Sequence, residues 1–300
     1  MTIHDEADDT RQPVQPADAF RRVTVLGVGL LGGSVVRSLA RRGDLHLSGW
    51  LRRPESKKVL NQLPLNRIDS DIEALCADAD AIVVAVPVDK TAALVRRALA
   101  SASPDAIVTD VGSTKAKIIA EVIEDRDIDP RFVPAHPIAG SERSGPQAAR
   151  ADLFDEKLCV LTPQESDSGS TQNELANAVH RGEAFWEMVG CRVHRMTAEE
   201  HDRALALVSH VPHLVSSMVA GQTPEHLQPL CGSGWRDITR VAAGDVTMWM
   251  AIIRHNRQAI LESWKNMRTT VDNVTRMLEA EDDEALRAWL ADAAQRRKAD

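Results

Sequence analysis

The sequence predicts an α/β fold, in which a doubly wound parallel sheet is followed by an all-helical C-terminal domain. Apolar strand-like runs alternate with helix-like segments up to residue 196, and a glycine-rich turn follows the first run, Val23–Leu26. From Thr197 onward the pattern is helical. Strands that alternate with helices favour right-handed crossovers and a mostly parallel sheet, whose ligands bind beyond the carboxyl ends of the strands.

The glycine-rich turn predicts a dinucleotide site. Gly27, Gly29 and Gly32 have the G-x-G-x-x-G spacing, which gives a tight turn, close approach of the backbone to a pyrophosphate, and close packing of helix on strand. The pyrophosphate would lie at the N-terminus of the following helix, where free N–H groups favour an anion. The alternative is a strand–turn–helix without a ligand. The residues predicted to contact the cofactor are Gly27, Gly29, Leu30, Leu31, Gly32, Arg52, Arg53 and Val86.

Further strands and helices follow in order. The predicted strands are His46–Leu51, Ala81–Val86, Ala106–Asp110, Phe132–Ala135, Leu158–Leu161 and an edge strand at Cys191–Met196. The predicted helices are Ser70–Ala77, Thr91–Ala100 and Glu174–Val189, and Gln164–Asn173 reads as an exposed loop. Thr197 and Glu200 form a capping-box pattern that opens the helical half, which is interrupted by a Pro- and Gly-rich loop at Gln222–Gly234.

An apolar stripe marks the last long helix. Its members, at a/d-like spacings of 7, 4, 3, 4, 3 and 4, are Ile253, Ile260, Trp264, Met267, Val271, Val274 and Leu278. Such a stripe serves equally as part of the domain's own core or as the seam of a dimer.

The composition limits the partners. The chain has 300 residues, of which 43% are hydrophobic and 27% charged, and its net charge is −8. This negative balance, without a basic stripe, disfavours nucleic acid as a partner. No apolar run reaches the ~18–20 residues that span a bilayer, and no secretory signal is present, so we expect a cytoplasmic protein that does not bind a membrane. We expect three segments: a flexible arm at 1–20, a dinucleotide-binding domain at 21–196 and a helical domain at 197–300.

The spacing of the cysteines bears on whether the chain contains disulfides or a metal site. The four cysteines, which are widely scattered without a C-x-x-C pair, are Cys76, Cys159, Cys191 and Cys231. This distribution argues against a disulfide framework and a zinc site, and it predicts four core residues and no metal.

The end of the second strand distinguishes the two nicotinamide cofactors. An acid at this position usually binds the adenosine ribose 2′-OH, whereas an arginine accommodates a 2′-phosphate. Here Leu51 stands in place of the acid, and Arg52 and Arg53 follow it. This favours NADP, with NAD as the second possibility. The alternative is that both arginines form only a solvated surface pair.

Four further motifs contain polar side chains that could take part in catalysis or binding. Asp110–Lys115, read as DVGSTK, and His136–Gly145, read as HPIAGSERSG, each follow a predicted strand. In the helical half stand Ser209–His213, read as SHVPH, and Gly232–Arg240, read as GSGWRDITR, with Trp249 shortly after. Together with the glycine turn, these motifs resemble those of the prephenate and arogenate dehydrogenases, from about Val23 to Trp249 or beyond.

The resemblance implies an oxidoreductase of tyrosine biosynthesis with a Rossmann domain and a helical domain that forms a homodimer. His136 is then the catalytic histidine, and Ser113 is its hydrogen-bonding partner. The positions that match substrate-pocket residues are Glu142, His213, Arg240 and Trp249. Two departures from the family pattern are Leu51 in place of the acid and the residues Ser233 and Trp235 before Arg240.

The residue chemistry agrees with this resemblance. The substrate that the resemblance implies, prephenate, carries a hydroxyl on a ring carbon and two carboxylates. Oxidation at that carbon needs a base within hydrogen-bond reach of the hydroxyl, and a neutral imidazole such as His136 suits this role. A doubly anionic substrate on an acidic protein needs a fixed positive partner, which Arg240 supplies. His210 and His213 could instead be capping or core histidines, Glu142 a turn cap, and Trp249 a core residue.

Two other functions fit parts of the sequence. One is another NADP-dependent oxidoreductase with a helical second domain, such as a β-hydroxyacid dehydrogenase or an imine reductase, but these usually rely on a lysine in the helical half. The other is a dinucleotide sensor without turnover, which would not need His136, Ser113 and Arg240 together.

Overall fold

A computed structural model describes residues 20–124, 128–140, 143–166 and 169–298. These residues divide into two compact units. The first comprises the described residues up to Asp202 together with Gly244–His255, and the second comprises Arg203–Ala243 and the described residues from Asn256 onward. The predicted arm at 1–20 lies outside the described residues except for Phe20, which is buried against Phe185.

A parallel six-stranded sheet forms the centre of the first unit. Its strands are β1 (Arg22–Leu26), β2 (His46–Trp50), β3 (Arg67–Asp69), β4 (Ala81–Val84), β5 (Ile107–Asp110) and β6 (Phe132–Val133), in the order β3-β2-β1-β4-β5-β6. The helices between them are α1 (Leu30–Ala40), α2 (Lys57–Leu60), α3 (Ile72–Cys76), α4 (Val88–Ser101) and α5 (Ala116–Ile123). The strand order reverses at β1, whose neighbours are β2 and β4. This arrangement confirms the doubly wound α/β prediction.

Alternate side chains of the central strands enter different apolar clusters. Val23 and Val25 of β1 belong to one cluster, and Leu26 of β1 and Ile82 of β4 belong to the other. Because successive side chains of a strand point to opposite faces, the sheet buries both of its faces.

The predicted strand Phe132–Ala135 is divided between two sheets. Its first half is β6, and its second half begins β7 (Ala135–Pro137) in a three-stranded sheet with β8 (Leu158–Leu161) and β9 (Arg192–Arg195). Pro134 lies at the break, and a proline has no N–H with which to continue a ladder. β7 is antiparallel to β8, and β8 is parallel to β9, the predicted edge strand. Helix α6 (Gly169–Val189) precedes β9.

Helices make up the second unit. A continuous helical run comprises α7 (Ala198–Leu205), a π-helical turn (Ala206–His210) and α8 (Val211–Gln222). Next come a 3-10 turn at Glu225–Leu230, α9 (Ser233–Thr239), a 3-10 turn at Arg240–Ala243, α10 (Val246–His255), α11 (Arg257–Glu279) and α12 (Asp283–Lys298). The capping box is confirmed, since the amide of Glu200 donates to Oγ1 of Thr197 at 3.2 Å and the amide of Thr197 donates to Oε2 of Glu200 at 2.9 Å.

By length and composition alone, the run Ala198–Gln222 could cross a membrane, although the sequence predicts no such segment. A single helix of this kind is weak support for a membrane span, because core helices of globular proteins pass the same test. His210, His213 and Ser216 are buried within this run.

The last apolar stripe does not lie on one helix. The helix predicted through Ile253–Leu278 is interrupted at Asn256, whose φ of −114° and ψ of 28° end α10 before α11 begins. Ala251 and Ile252 of α10 are buried in the same apolar cluster as Ala92 and Val95 of α4. Helix α10 therefore belongs to the first unit, whereas the sequence placed everything after residue 196 in one helical domain.

The cysteines are free thiols. Cys76, Cys159 and Cys191 are buried, as predicted for core residues, whereas Cys231 is half-buried. Burial raises the pKa of Cys76 to about 12, and it also raises the pKa of Cys159.

Candidate active site

The turn after β1 is built so that only glycine fits at two positions. Gly27 has a φ of +104°, and a Cβ on it would lie 2.3 Å from the carbonyl oxygen of Ala85. A Cβ on Gly32 would lie 2.1 Å from the carbonyl oxygen of Gly27. At Gly29, by contrast, a Cβ would meet no atom within 4 Å. The first and third glycines thus permit chain packing, and the second leaves open space beside the backbone.

The open space lies at the start of α1. Gly29 is the N-cap of this helix, no side chain caps it, and the first turn contains no acid. The amides of Leu30, Leu31 and Gly32 are the first of the helix, where N–H groups lack intrahelical partners and favour an anion. Val86 borders the turn, since one of its methyl carbons would lie 2.7 Å from a Cβ on Gly27. These residues fit the pyrophosphate of a dinucleotide.

The residues after β2 suit a 2′-phosphate. The Leu51 side chain packs against the apolar core, and its amide donates to the carbonyl oxygen of Asp69 at 2.6 Å. Arg52 and Arg53 are exposed. In the part of the chain that the structure describes, neither arginine forms a salt bridge or a side-chain hydrogen bond. Two guanidinium groups are therefore accessible where a carboxylate usually binds the ribose.

The predicted catalytic base lies in the second, small sheet. His136 is the middle residue of β7 and is buried, with 9% of its surface exposed. Its Nδ1 lies 2.8 Å from Nε2 of His201, and the two rings meet edge to face with centroids 5.1 Å apart. His201 is fully buried at the start of α7. The structure thus places a second imidazole on the ring nitrogen of His136.

A buried ion pair holds the backbone next to His136. Lys115 and Asp110 are both fully buried, and Nζ of Lys115 also donates to the carbonyl oxygen of Ala135 at 2.7 Å. The other oxygen of Asp110 accepts from the amide of Ala135 at 3.0 Å. Both main-chain groups of the residue before His136 are therefore held by charged partners, which fixes the position from which the imidazole extends.

Asp202 connects His201 to the loop after β5. Its Oδ1 lies 2.8 Å from Nδ1 of His201 and accepts from the amide of Lys115 at 2.8 Å, while its Oδ2 accepts from the amide of Ala116 at 3.0 Å. Sequence reasoning missed His201 and Asp202. The sequence does show a His-Asp pair directly after the capping box. A pair of neighbouring helical residues, however, does not indicate which side chains of the rest of the chain it contacts.

Two other predicted residues of this region remain predictions. Ser113 is half-buried in the loop after β5, in the same segment as Asp110 and Lys115, while the partner on Nδ1 of His136 is His201 rather than Ser113. Glu142 lies outside the described residues.

The remaining predicted pocket residues are divided between the units. His213 is buried in α8 of the second unit, and burial lowers its pKa, while a hydrogen bond that its ring donates to the backbone of Val241 acts in the opposite direction. Arg240 is exposed where α9 ends in the same unit. Trp249 belongs to α10 of the first unit, where it packs half-buried against the apolar core. His210 is buried, with its Nδ1 3.1 Å from Nδ2 of Asn256.

Within the ranges that the structure describes, no group of three or more His, Cys, Asp or Glu side chains could hold a metal ion.

Comparison with known proteins identifies the family. The family model described as the nucleotide-binding domain of prephenate dehydrogenase matches residues 37–194, and the one described as the dimerization domain of prephenate dehydrogenase matches residues 197–292. The chain belongs to the prephenate dehydrogenase family. It is therefore an oxidoreductase with a Rossmann-type nucleotide-binding domain.

Three relatives show how far this family likeness extends. The cyclohexadienyl dehydrogenase of Zymomonas mobilis is 32% identical over 252 residues, which are 81% of this chain and 83% of the relative. The crystal structure of the Aquifex aeolicus prephenate dehydrogenase with hydroxyphenyl propionate and NAD+ has a TM-score of 0.80 at 27% identity, covering 92% of this chain and 97% of that one. The Synechocystis arogenate dehydrogenase structure has a TM-score of 0.74 at 27% identity, covering 92% and 99%. Members of the prephenate dehydrogenase family with different named substrates are thus similar to this chain to a comparable degree.

Proposed function

We propose that the protein catalyses the oxidative decarboxylation of prephenate or arogenate, with hydride transfer to NADP+ in preference to NAD+. The observation that carries this proposal is His136, a buried imidazole whose Nδ1 is held by His201, in the unit that also carries the open glycine turn. Membership of the prephenate dehydrogenase family supports the reaction class.

The proposed reaction follows from the substrate's bonds. Prephenate carries a ring hydroxyl on C4 and a carboxylate on C1. As Nε2 of His136 takes the hydroxyl proton, hydride leaves C4 and CO2 leaves C1, and the electrons of the broken C–C bond complete an aromatic ring. The resulting phenolate oxygen takes the proton back from His136, so that the base is restored. A bound nicotinamide supplies the hydride acceptor.

Residue roles follow from charge and position. Gly27, Gly29, Leu30, Leu31, Gly32 and Val86 would hold the pyrophosphate end of the cofactor, and Arg52 and Arg53 would bind the 2′-phosphate. Arg240 would bind a substrate carboxylate, because its exposed guanidinium offers a planar pair of donors. His213, Glu142 and Trp249 would line the same pocket, and Ser113 would contact the His136 ring.

The proposal includes a homodimer in the cytoplasm. The second unit exposes apolar side chains along α11, among them Val271 at 55% and Leu278 at 60%. The matching family domain is described as a dimerization domain. A second copy that covers this stripe would bury it.

Four assays test the proposal. The purified enzyme is given prephenate or arogenate with NADP+ or NAD+, and cofactor reduction is followed by absorbance while CO2 release is measured. We expect stoichiometric CO2 and reduced cofactor with at least one substrate, and a higher kcat/KM for NADP+ than for NAD+. Cofactor reduction without CO2 release, or no reduction with either substrate, would contradict the proposal.

A further inference from the structure

We propose that His201 and Asp202 are positioning residues that fix the tautomer of His136 and receive its second proton during turnover. This inference rests on the proposed role of His136 as the base. His201 and Asp202 are buried polar residues that belong to none of the sequence motifs, and their hydrogen bonds are the observations on which the proposal is based.

The chain of bonds begins at Asp202. Both of its oxygens accept main-chain N–H groups, from Lys115 at 2.8 Å and Ala116 at 3.0 Å. A carboxyl group that accepts two amide hydrogen bonds is held in its acceptor-only, ionised form. Nδ1 of His201, 2.8 Å from Oδ1, must then carry the hydrogen of that contact.

The proton positions follow along the chain. With its hydrogen on Nδ1, the neutral ring of His201 has a lone pair on Nε2, and this nitrogen lies 2.8 Å from Nδ1 of His136. Nδ1 of His136 must therefore donate. Nε2 of His136 is left with a lone pair, which is the form that can accept a proton from a hydroxyl.

The same bonds allow a second proton shift. When Nε2 of His136 takes the substrate proton, its Nδ1 proton can move to Nε2 of His201. The positive charge then resides on His201, adjacent to the Asp202 carboxylate, and His136 returns to a neutral ring. Re-protonation of the phenolate reverses both shifts, so no proton is gained or lost in the cycle.

Lys115 and His255 lie near this chain of hydrogen bonds. The ammonium group of Lys115 is bound to Asp110 and to the carbonyl oxygen of Ala135, so only the amide of Lys115 reaches Asp202. His255, the last residue of α10, interacts electrostatically with Asp202. It also interacts with Lys117 and Glu121 of α5 and with Asp89 of α4. Burial, followed by the charge of Lys117, lowers the pKa of His255.

Nitrogen NMR tests the tautomers directly. In wild-type protein labelled with 15N-histidine, without substrate, we expect His136 and His201 each to carry a single hydrogen on Nδ1. Assignment uses the loss of each signal in His136→Asn and His201→Gln variants. A hydrogen on Nε2 of His136 instead, or a doubly protonated His201 at pH 7.5, would overturn the proposal. Because this readout needs no turnover, it can fail while the proposed dehydrogenase activity stands, and it can succeed if that activity fails.

Two variants and a control test the effect on rate. His201→Leu removes the acceptor, and we expect kcat to fall by roughly 10²-fold with unchanged affinity for NADP+. His201→Gln restores an acceptor oxygen without a transferable proton, so we expect a smaller loss and an acid limb of the kcat profile at lower pH. His194→Leu changes an exposed histidine of β9 and should alter neither. A folded His201→Leu enzyme with the wild-type kcat and pH profile would refute the role. If this variant does not fold, Asp202→Asn and the NMR measurement decide the question.

Discussion

Nζ of Lys115 lies 2.5 Å from Oδ2 of Asp110, and neither side chain is accessible to solvent. This pair also holds both main-chain groups of Ala135, so its loss affects the strand that carries His136. Removing one partner of a buried ion pair leaves an uncompensated charge in the interior.

Lys115→Met should therefore lower the free energy of unfolding by about 3–5 kcal/mol, measured by urea denaturation. The matched control is Arg150→Met, which breaks the exposed ion pair with Asp152. We expect no measurable change in the control. An unchanged denaturation midpoint for Lys115→Met would show that the buried pair is energetically replaceable.

His136→Asn should leave folding and NADP+ binding nearly intact while kcat falls by ~10²–10⁴-fold, the usual contribution of a general base. In the wild type, kcat should also fall as the pH drops, because imidazolium cannot accept a proton. Ser113→Ala should give a smaller loss. His46→Asn, at an exposed histidine of β2, is the control. If His136→Asn kept kcat within a few-fold of wild type, His213 would be the next candidate for the base.

Arg240→Ala should raise KM for the substrate more than it lowers kcat, because a carboxylate contact is present in both the ground state and the transition state. Arg236→Ala removes another exposed arginine one helical turn earlier and should leave KM unchanged. Steady-state kinetics of both variants measure the difference. Equal KM values for Arg240→Ala and wild type would assign the carboxylate contact elsewhere, with Arg143 as the alternative, because the ammonium group of Lys115 is buried against Asp110.

Replacing both Arg52 and Arg53 by alanine should raise KM for NADP+ by at least tenfold, a loss of about 1.4 kcal/mol, while KM for NAD+ changes little. Adding Leu51→Asp should favour NAD+ further, because a carboxylate repels the 2′-phosphate. Arg192→Ala, on an exposed arginine of β9, controls for the change in net charge. A wild-type enzyme that already prefers NAD+ tenfold would exclude this role for the arginines.

Met267→Glu should convert a dimer into monomers or insoluble protein, because it places a charge on the apolar stripe of α11, where Met267 is half-buried. Thr269→Glu adds the same charge on another face of α11 and should stay dimeric. Sedimentation at micromolar concentration distinguishes the states. Wild-type protein that sediments as a monomer would refute the dimer.

The features that could be predicted from the sequence are those that depend on residues close together in the chain. The glycine spacing and the alternation of strands and helices depend on neighbouring residues, so Gly27, Gly32 and the parallel sheet were predictable. The partner of His136 is 65 residues away along the chain, and no local pattern links His201 to it. The break at Asn256, where the apolar spacing continues from Ile253 to Ile260, has no local signal either.

The positions of the cysteines allow local unfolding of the protein to be measured by thiol alkylation. Cys76, Cys159 and Cys191 are buried in the first unit, while Cys231 is half-buried in the second. Since the thiolate must reach the reagent, buried thiols are alkylated only after the structure around them opens. In the native protein a maleimide should react first at Cys231, and the slower reaction of the other three thiols would report how often the dinucleotide-binding unit unfolds.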